Sequence, residues 1–241
     1  MCVIFLAYRQ SPAYPLILLA NRDEFYERPT AKAAYWKDFP HILGGRDLIG
    51  GGTWLGVTKN GRFAAVTNYR DPLQNKGTIS RGNLVADFLK TRIQTEKYLK
   101  KVKTNAEKYT GFNLLTGEIN NQREKLFYYS NRENKIRKLE KGIYGLSNNL
   151  LDVSWPKVNR GKEELAEIIE KKEFEKENFF KILNDKNLAE DENLPATGIG
   201  YEREKLLSAI FIETPVYGTR CSSVLTFDKD LKIDFEERVY I

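Results

Sequence analysis

The stretch MCVIFLAY (residues 1–8) places a cysteine directly before an apolar run that has the length and composition of a buried β-strand. The other cysteine of the chain is Cys221. Cys2 is either a small apolar residue at the start of a strand, or the first residue of a chain from which Met1 is removed. In the second case one residue carries a thiol and a free α-amine, which together supply a nucleophile and a base without histidine.

The composition is that of an ordinary globular protein, and we predict a single domain over residues 1–241. Hydrophobic residues make up 41% and charged residues 30% of the sequence, and no run approaches the ~20 apolar residues of a membrane span. The basic segment 90–103 has the pattern of a solvated helix face, so no nucleic-acid partner is predicted. Two cysteines favour a reducing, cytoplasmic location. A single histidine, His41, excludes any site that needs two.

The order of predicted elements runs strands, helices, strands, helices, strands. We expect strands over 2–8, 15–20, 53–58, 62–68, 110–117, 124–130, 206–213, 217–227 and 231–241, a hairpin within 136–148, helices over 80–107, 157–172 and 174–185, and a loop over 188–200. The Asn60-Gly61 pair predicts a tight hairpin turn between two of these strands. Because strands and helices do not alternate singly, the pattern indicates an α+β fold with antiparallel sheets covered by helices.

A polar cluster, Asn21, Arg22, Asp23 and Glu24, stands where the second strand ends. Catalytic side chains collect where rigid elements emerge, although a surface turn with local ion pairs is the alternative. Side chains alternate along a strand, so Asn21 and Asp23 are expected on one face and Arg22 and Glu24 on the other.

Four further side chains are candidates for a site, each with a structural alternative. Trp54 either lines a pocket or fills the core. Asn68 and Asn148 either donate a hydrogen bond to an oxyanion or cap a turn. Arg220, a charge in an otherwise apolar or small-residue strand, either recognises a carboxylate or pairs with a carboxylate of the second strand.

Several motifs together resemble one family. They are MC at the start, ANRDE (20–24), GGRDLIGGGTWLG (44–56), VTNYRDP (66–72), GLSN (145–148) and YGTRCSSVL (217–225). In this order they resemble the NRDE family, also called the transport and Golgi organisation family. That family is similar to cysteine N-terminal-nucleophile (Ntn) hydrolases of the choloylglycine hydrolase and penicillin V acylase type. The resemblance implies a four-layer αββα sandwich of two stacked antiparallel sheets flanked by helices.

The resemblance also implies roles for particular residues. Those implied as catalytic are Cys2 as nucleophile, Asp23, Asn68 at the oxyanion, Asn148 beside the α-amine, and Arg220. Those implied as substrate-binding are Asn21, Arg22, Glu24 and Trp54. In the hydrolases the arginine and aspartate of the second strand are separated by two residues, whereas Arg22 and Asp23 are adjacent here.

Two functions are compatible with this resemblance. The first is an Ntn hydrolase that cleaves a non-peptide amide, with no resident cofactor or metal. The second is a non-catalytic carrier for haem or another amphipathic ligand, with Cys2, His41 or Met1 as candidate iron ligands. In both cases the partner is a small molecule, and a homo-oligomer is allowed.

Overall fold

The computed structural model describes residues 2–74 and 76–241. Its strands are β1 (Cys2–Tyr8), β2 (Leu16–Phe25), β3 (Thr30–Tyr35), β4 (Ile42–Asp47), β5 (Leu55–Thr58), β6 (Arg62–Asn68), β7 (Phe112–Asn120), β8 (Arg123–Ser130), β9 (Lys135–Lys138), β10 (Gly142–Leu146), β11 (Tyr217–Phe227) and β12 (Ile233–Val239). Its helices are α1 (Gly82–Lys90), α2 (Thr95–Thr104), α3 (Pro156–Lys171), α4 (Lys176–Leu183) and α5 (Tyr201–Leu206). The strands form two antiparallel sheets, and the chain divides into two compact units.

The first unit comprises residues 1–27, 70–72 and 141–241 and holds a five-stranded sheet of order β10-β1-β2-β11-β12. Helices α3 and α4 cover one face of this sheet. Apolar residues at alternate positions of β1 and β2, among them Phe5 and Leu19, pack there against Leu165 of α3 and Phe180 of α4. This alternation fixes which strand residues face the helices.

The second unit comprises residues 28–69 and 73–140 and holds a seven-stranded sheet in which β3 to β9 follow one another in chain order. Helices α1 and α2 supply the apolar side chains Phe88 and Leu99 to its core, which also contains Phe112 of β7. The Asn60-Gly61 turn joins β5 to β6, as predicted, and Gly61 takes a positive φ of 82°.

Close packing of α3 on the first sheet depends on a glycine. A Cβ atom on Gly161 would lie 2.1 Å from Cζ of Phe5, a side chain with no exposed surface. No larger residue fits at this position unless the helix moves away from β1.

The α+β class and the antiparallel sheets with their helices are confirmed, but two predicted elements are wrong. Residues 136–148 do not form a hairpin, because β9 pairs with β8 and β10 pairs with β1 in the other sheet. Residues 206–213 do not form a strand: they contain the end of α5 and a turn, followed by an isolated bridge from Glu213 to Gly218. Within the described residues, no helix is long and apolar enough to cross a membrane.

Candidate active site

Cys2 lies in a row of residues that runs across three strands of the first unit. It is the register partner of Arg22 on β2, and Arg22 is in turn the register partner of Cys221 on β11. Directly opposed residues in an antiparallel pair share a face, with Cβ atoms about 4.5–5.5 Å apart. Since Val3 and Phe5 face the helices, the row lies on the opposite face of the sheet.

The Cys2 thiol is held in a desolvated but polar environment, although Cys2 as a residue is only half-buried. Burial raises the pKa of the thiol, and the Asp23 carboxylate raises it further. The charge of Arg22 and a hydrogen bond from the backbone N–H of Asp23 lower this pKa in opposition. Arg22 and the Asp23 N–H therefore stabilise a thiolate. The pKa of the thiol is nevertheless raised overall, which favours the protonated form.

Asp23 lies on the helix-covered face of β2, as strand alternation predicts. Its carboxyl Oδ1 accepts a hydrogen bond from Oγ1 of Thr219 at 2.8 Å, and only 2% of the residue is exposed. Thr219 is available because β11 bulges at Arg220, between the register partners of Asp23 and Arg22. Burial raises the pKa of Asp23, while Lys157 and Thr219 lower it.

Asn21 shares the face of Asp23 and is 1% exposed. Its Nδ2 donates to the backbone carbonyls of Leu183 (2.7 Å) and Ile210 (3.0 Å), and its Oδ1 accepts from Ser222 (2.6 Å). These bonds join β2 to the end of α4 and to the segment before β11. The predicted role of Asn21 in substrate binding stays a prediction.

Lys157, at the start of α3, is a buried charge that sequence analysis did not identify. It is 1% exposed, and its Nζ donates to the carbonyls of Leu207 (2.8 Å) and Ala209 (3.3 Å). Burial lowers its pKa to about 8, although Asp23 opposes the shift. No sequence signal marks this lysine, because it lies in a helix with many exposed charges.

We expect the stability of the protein to depend on Lys157 above pH 8. The folded-state pKa of about 8 lies below the ordinary value of 10.5, so the unfolded chain binds more protons between these two values. The free energy of unfolding therefore rises with pH over this range, by on the order of 3 kcal/mol. Denaturant unfolding of the wild type and of Lys157→Met, at several pH values, measures this. A constant difference between the two proteins would contradict the assignment.

Ser147 and Asn148 directly follow β10, the strand that pairs with β1 along the edge opposite β2. Ser147 Oγ donates to the backbone carbonyl of Cys2 at 3.3 Å and lies 3.4 Å from Oδ1 of Asn148. Extending the β1–β10 register by two residues puts Asn148 opposite Cys2. Asn148 has no exposed surface, and its predicted role beside the α-amine stays a prediction.

Arg220 binds the end of β2 and the C-terminus of the chain. Its Nη1 donates to the carbonyls of Phe25 (3.1 Å) and Tyr26, and its Nη2 to that of Ile241 (3.3 Å). Glu24 Oε1 accepts from the N–H of Phe25 at 3.0 Å, at the same strand end. The Arg220 guanidinium thus binds main-chain oxygens. Burial lowers its pKa, and the Glu24 carboxylate of the second strand opposes that shift.

The remaining candidates lie in the second unit. Asn68 is the last residue of β6, with Phe112 as its register partner. Trp54 precedes β5, and its ring covers Gly45 so closely that a Cβ there would lie 2.1 Å from the indole. His41 is exposed before β4. In residues 2–74 and 76–241, no group of three or more His, Cys, Asp or Glu side chains is placed to hold a metal ion.

Comparisons with known proteins identify both the relatives and the fold. The Transport and Golgi organization protein 2 homologs of Bos taurus and Homo sapiens are each 38% identical to the chain over 255 aligned residues, which cover 99% of this chain and 92% of the relative. Among solved structures, an arginine-to-leucine variant of conjugated bile acid hydrolase from Clostridium perfringens matches with a TM-score of 0.51. That match covers 99% of this chain and 96% of the other at 12% identity, so it shows the fold alone.

The match to bile acid hydrolase confirms the Ntn-hydrolase-like α+β fold that the motifs implied. The sequence matches the family described as Transport and Golgi organisation 2 over residues 1–241. The chain therefore belongs to the Transport and Golgi organisation 2 family.

Proposed function

We propose that the protein is a cysteine Ntn hydrolase that cleaves a non-peptide amide, with Cys2 as the nucleophile. The observation that carries the proposal is the position of Cys2. It is half-buried at the beginning of a central strand, directly opposite Arg22, and accepts a hydrogen bond from the backbone N–H of Asp23. A sulfur in this environment has a positive charge and a fixed dipole beside it.

The reaction proceeds through a thioester. Cys2 Sγ attacks the amide carbonyl carbon while its proton passes to a base, and the oxygen gains negative charge. Collapse of this intermediate breaks the C–N bond, and the amine leaves with the proton. Water then attacks the thioester, which releases a carboxylic acid and restores the thiol. The amide substrate and water supply every atom of these steps.

The base in this scheme is the α-amine of Cys2, which exists only after Met1 is removed. Met1 lies outside the described residues. Because burial raises the pKa of the thiol, the sulfur needs a nearby base at neutral pH, and an α-amine titrates near about 7.7–8. Asn148, beside Cys2 in the extended register, is suited to hold this amine. The oxyanion role of Asn68, the roles of Trp54 and Glu24 towards substrate, and the site role of Arg220 stay predictions from the family resemblance.

Removal of Met1 is the first expected result. Intact-mass spectrometry of the protein isolated from cells should show a chain that begins at Cys2. Iodoacetamide, an uncharged reagent, should label Cys2 faster than Cys221. The buried Cys221, whose pKa burial raises well above its ordinary value, is the internal control. A protein that retains Met1 throughout would exclude this mechanism.

A carrier for an amphipathic ligand such as haem is the second candidate. The adjacency of Arg22 and Asp23 favours it, because their side chains lie on opposite faces of β2 and only Arg22 shares the face of Cys2. Titration with haem distinguishes the two candidates: a carrier that ligates iron through Cys2 gives a saturable Soret shift that Cys2→Ala abolishes. For either function we expect the cytoplasm as the location, since a free thiol at Cys2 needs a reducing compartment.

A further inference from the structure

Arg70 belongs to the VTNYRDP motif, and no role was assigned to it from the sequence. Its backbone N–H donates to the carbonyl of Asn148 at 2.7 Å. Asn148 directly follows Ser147, whose hydroxyl donates to the backbone carbonyl of Cys2 at 3.3 Å, so this bond fixes Arg70 near the Cys2 end of the first sheet. Arg70 lies in the same compact unit as both residues.

The Arg70 side chain is buried but only partly hydrogen-bonded. Its side chain is 5% exposed, Nη1 donates to Oε2 of Glu204 at 2.6 Å, and the guanidinium carbon lies 4.8 Å from the centre of the Trp155 ring. The buried Nε and Nη2 atoms have no acceptor among residues 2–74 and 76–241. One complete edge of the guanidinium, Nε and Nη2, is therefore buried without an acceptor in the described part of the chain.

Arg62 of the second unit shows that this pattern is specific to Arg70. Its side chain is buried to a similar degree, at 7% exposure, and it too pairs with a glutamate, Glu118. Both Nη groups of Arg62 donate, to Glu118, Phe88 and Ile93, and Nε alone has no acceptor in the described part of the chain. Of these two arginines, only Arg70 has two adjacent N–H groups without an acceptor in the described residues.

The surroundings of Arg70 connect it to the candidate active site. Burial lowers its pKa, and Glu204, Tyr217 and Asp23 oppose that shift. Tyr217 donates its hydroxyl to the backbone carbonyl of Asp23 at 3.2 Å. Glu204 cannot turn to the open edge, since its Oε1 accepts from both the N–H (2.8 Å) and the hydroxyl (2.5 Å) of Thr197.

We propose that the Nε–Nη2 edge of Arg70 binds a carboxylate group carried by the amide substrate. Two parallel N–H donors in a plane match the two oxygens of a carboxylate, and such bidentate pairs are the strongest hydrogen bonds of arginine. A carboxylate here satisfies two buried donors that otherwise lose their hydrogen bonds with water. That the bound carboxylate belongs to a substrate rests on the proposed function. The binding of a carboxylate by Arg70 does not.

Binding is tested without turnover, in full-length protein carrying Cys2→Ala. Calorimetry compares N-octanoylglycine with its neutral counterpart N-octanoylglycinamide, and we expect the acid to bind about 10- to 100-fold more tightly. In Arg70→Gln/Glu204→Gln, which removes both charges of the buried pair together, the preference should disappear. The matched control is Arg62→Gln/Glu118→Gln, which removes the other buried pair and should retain the preference.

A second variant keeps the test decisive if the double substitution does not fold. Glu204→Gln alone leaves Arg70 in place without its neutralising partner. N-octanoylglycine should therefore bind this variant more tightly than it binds the protein that carries Cys2→Ala alone. Three results overturn the proposal. They are equal binding of the two probes to the Cys2→Ala protein, a preference for the acid that survives the loss of Arg70, and unchanged binding of N-octanoylglycine in Glu204→Gln. A carboxylate preference in a protein that shows no hydrolysis supports Arg70 and counts against the proposed reaction instead.

Discussion

Cys2→Ala is expected, from the proposed function, to reduce the turnover of amide substrate by at least about 1,000-fold, as removal of the nucleophile does in covalent hydrolases. The fold should not change, because Cys2 is the first residue of β1, is only half-buried as a residue, and loses a single sulfur atom. Alanine is small enough to permit removal of Met1, so the variant differs from the wild type in the thiol alone. Steady-state hydrolysis and the free energy of unfolding are the two measurements.

Cys221→Ala is the matched control for this substitution. Cys221 lies in the same cross-strand row and on the same face, but on the far side of Arg22, and is 4% exposed. It should lower stability and leave turnover close to that of the wild type. The assignment of the nucleophile fails if Cys2→Ala retains turnover, or if both cysteine variants lose it equally.

Several strands could be predicted because each carries its own local pattern. The apolar run after Cys2 predicts β1 at its observed bounds, and the alternating stretch 217–227 predicts β11. The Asn60-Gly61 dipeptide fixes a hairpin through its backbone preference. In each case the information lies within about ten neighbouring residues.

Elements that depend on distant partners could not be predicted in this way. Residues 136–148 have the local pattern of a hairpin, but Ile4 to Tyr8 of β1 are the partners of β10, more than 130 residues away in sequence. The run 206–213 is apolar because Ile210 and Ile212 are buried, and burial alone does not distinguish a strand from a compact turn.

The candidate site shows the same division. Alternation along β2 predicts that Arg22 and Asp23 face opposite sides, and their contacts agree with this. The bulge at Arg220, which brings Thr219 to Asp23, is a property of the β2–β11 register and has no signal in the sequence. The burial of Arg70 likewise depends on Glu204, 134 residues away.

Asn21→Leu is expected to destabilise the protein by about 3–5 kcal/mol. The substitution keeps the branched shape of the side chain but leaves the carbonyls of Leu183 and Ile210 without their donor and the hydroxyl of Ser222 without its acceptor. Each buried group that loses its hydrogen bond costs about 1–3 kcal/mol, and Asn21 is 1% exposed. Chemical denaturation measures the loss.

The control for Asn21 is Asn178→Leu, since Nδ2 of Asn178 also makes two hydrogen bonds, to the carbonyl of Glu173 (3.1 Å) and to Glu175 (3.2 Å). These bonds lie at the surface of α4, where water replaces them, so the loss should stay below about 1 kcal/mol. If Asn21→Leu is as stable as Asn178→Leu but raises KM, Asn21 binds substrate. A large loss of stability instead shows that the asparagine of the ANRDE motif joins β2 to its covering helix, and that the motif holds the sheet which positions Cys2.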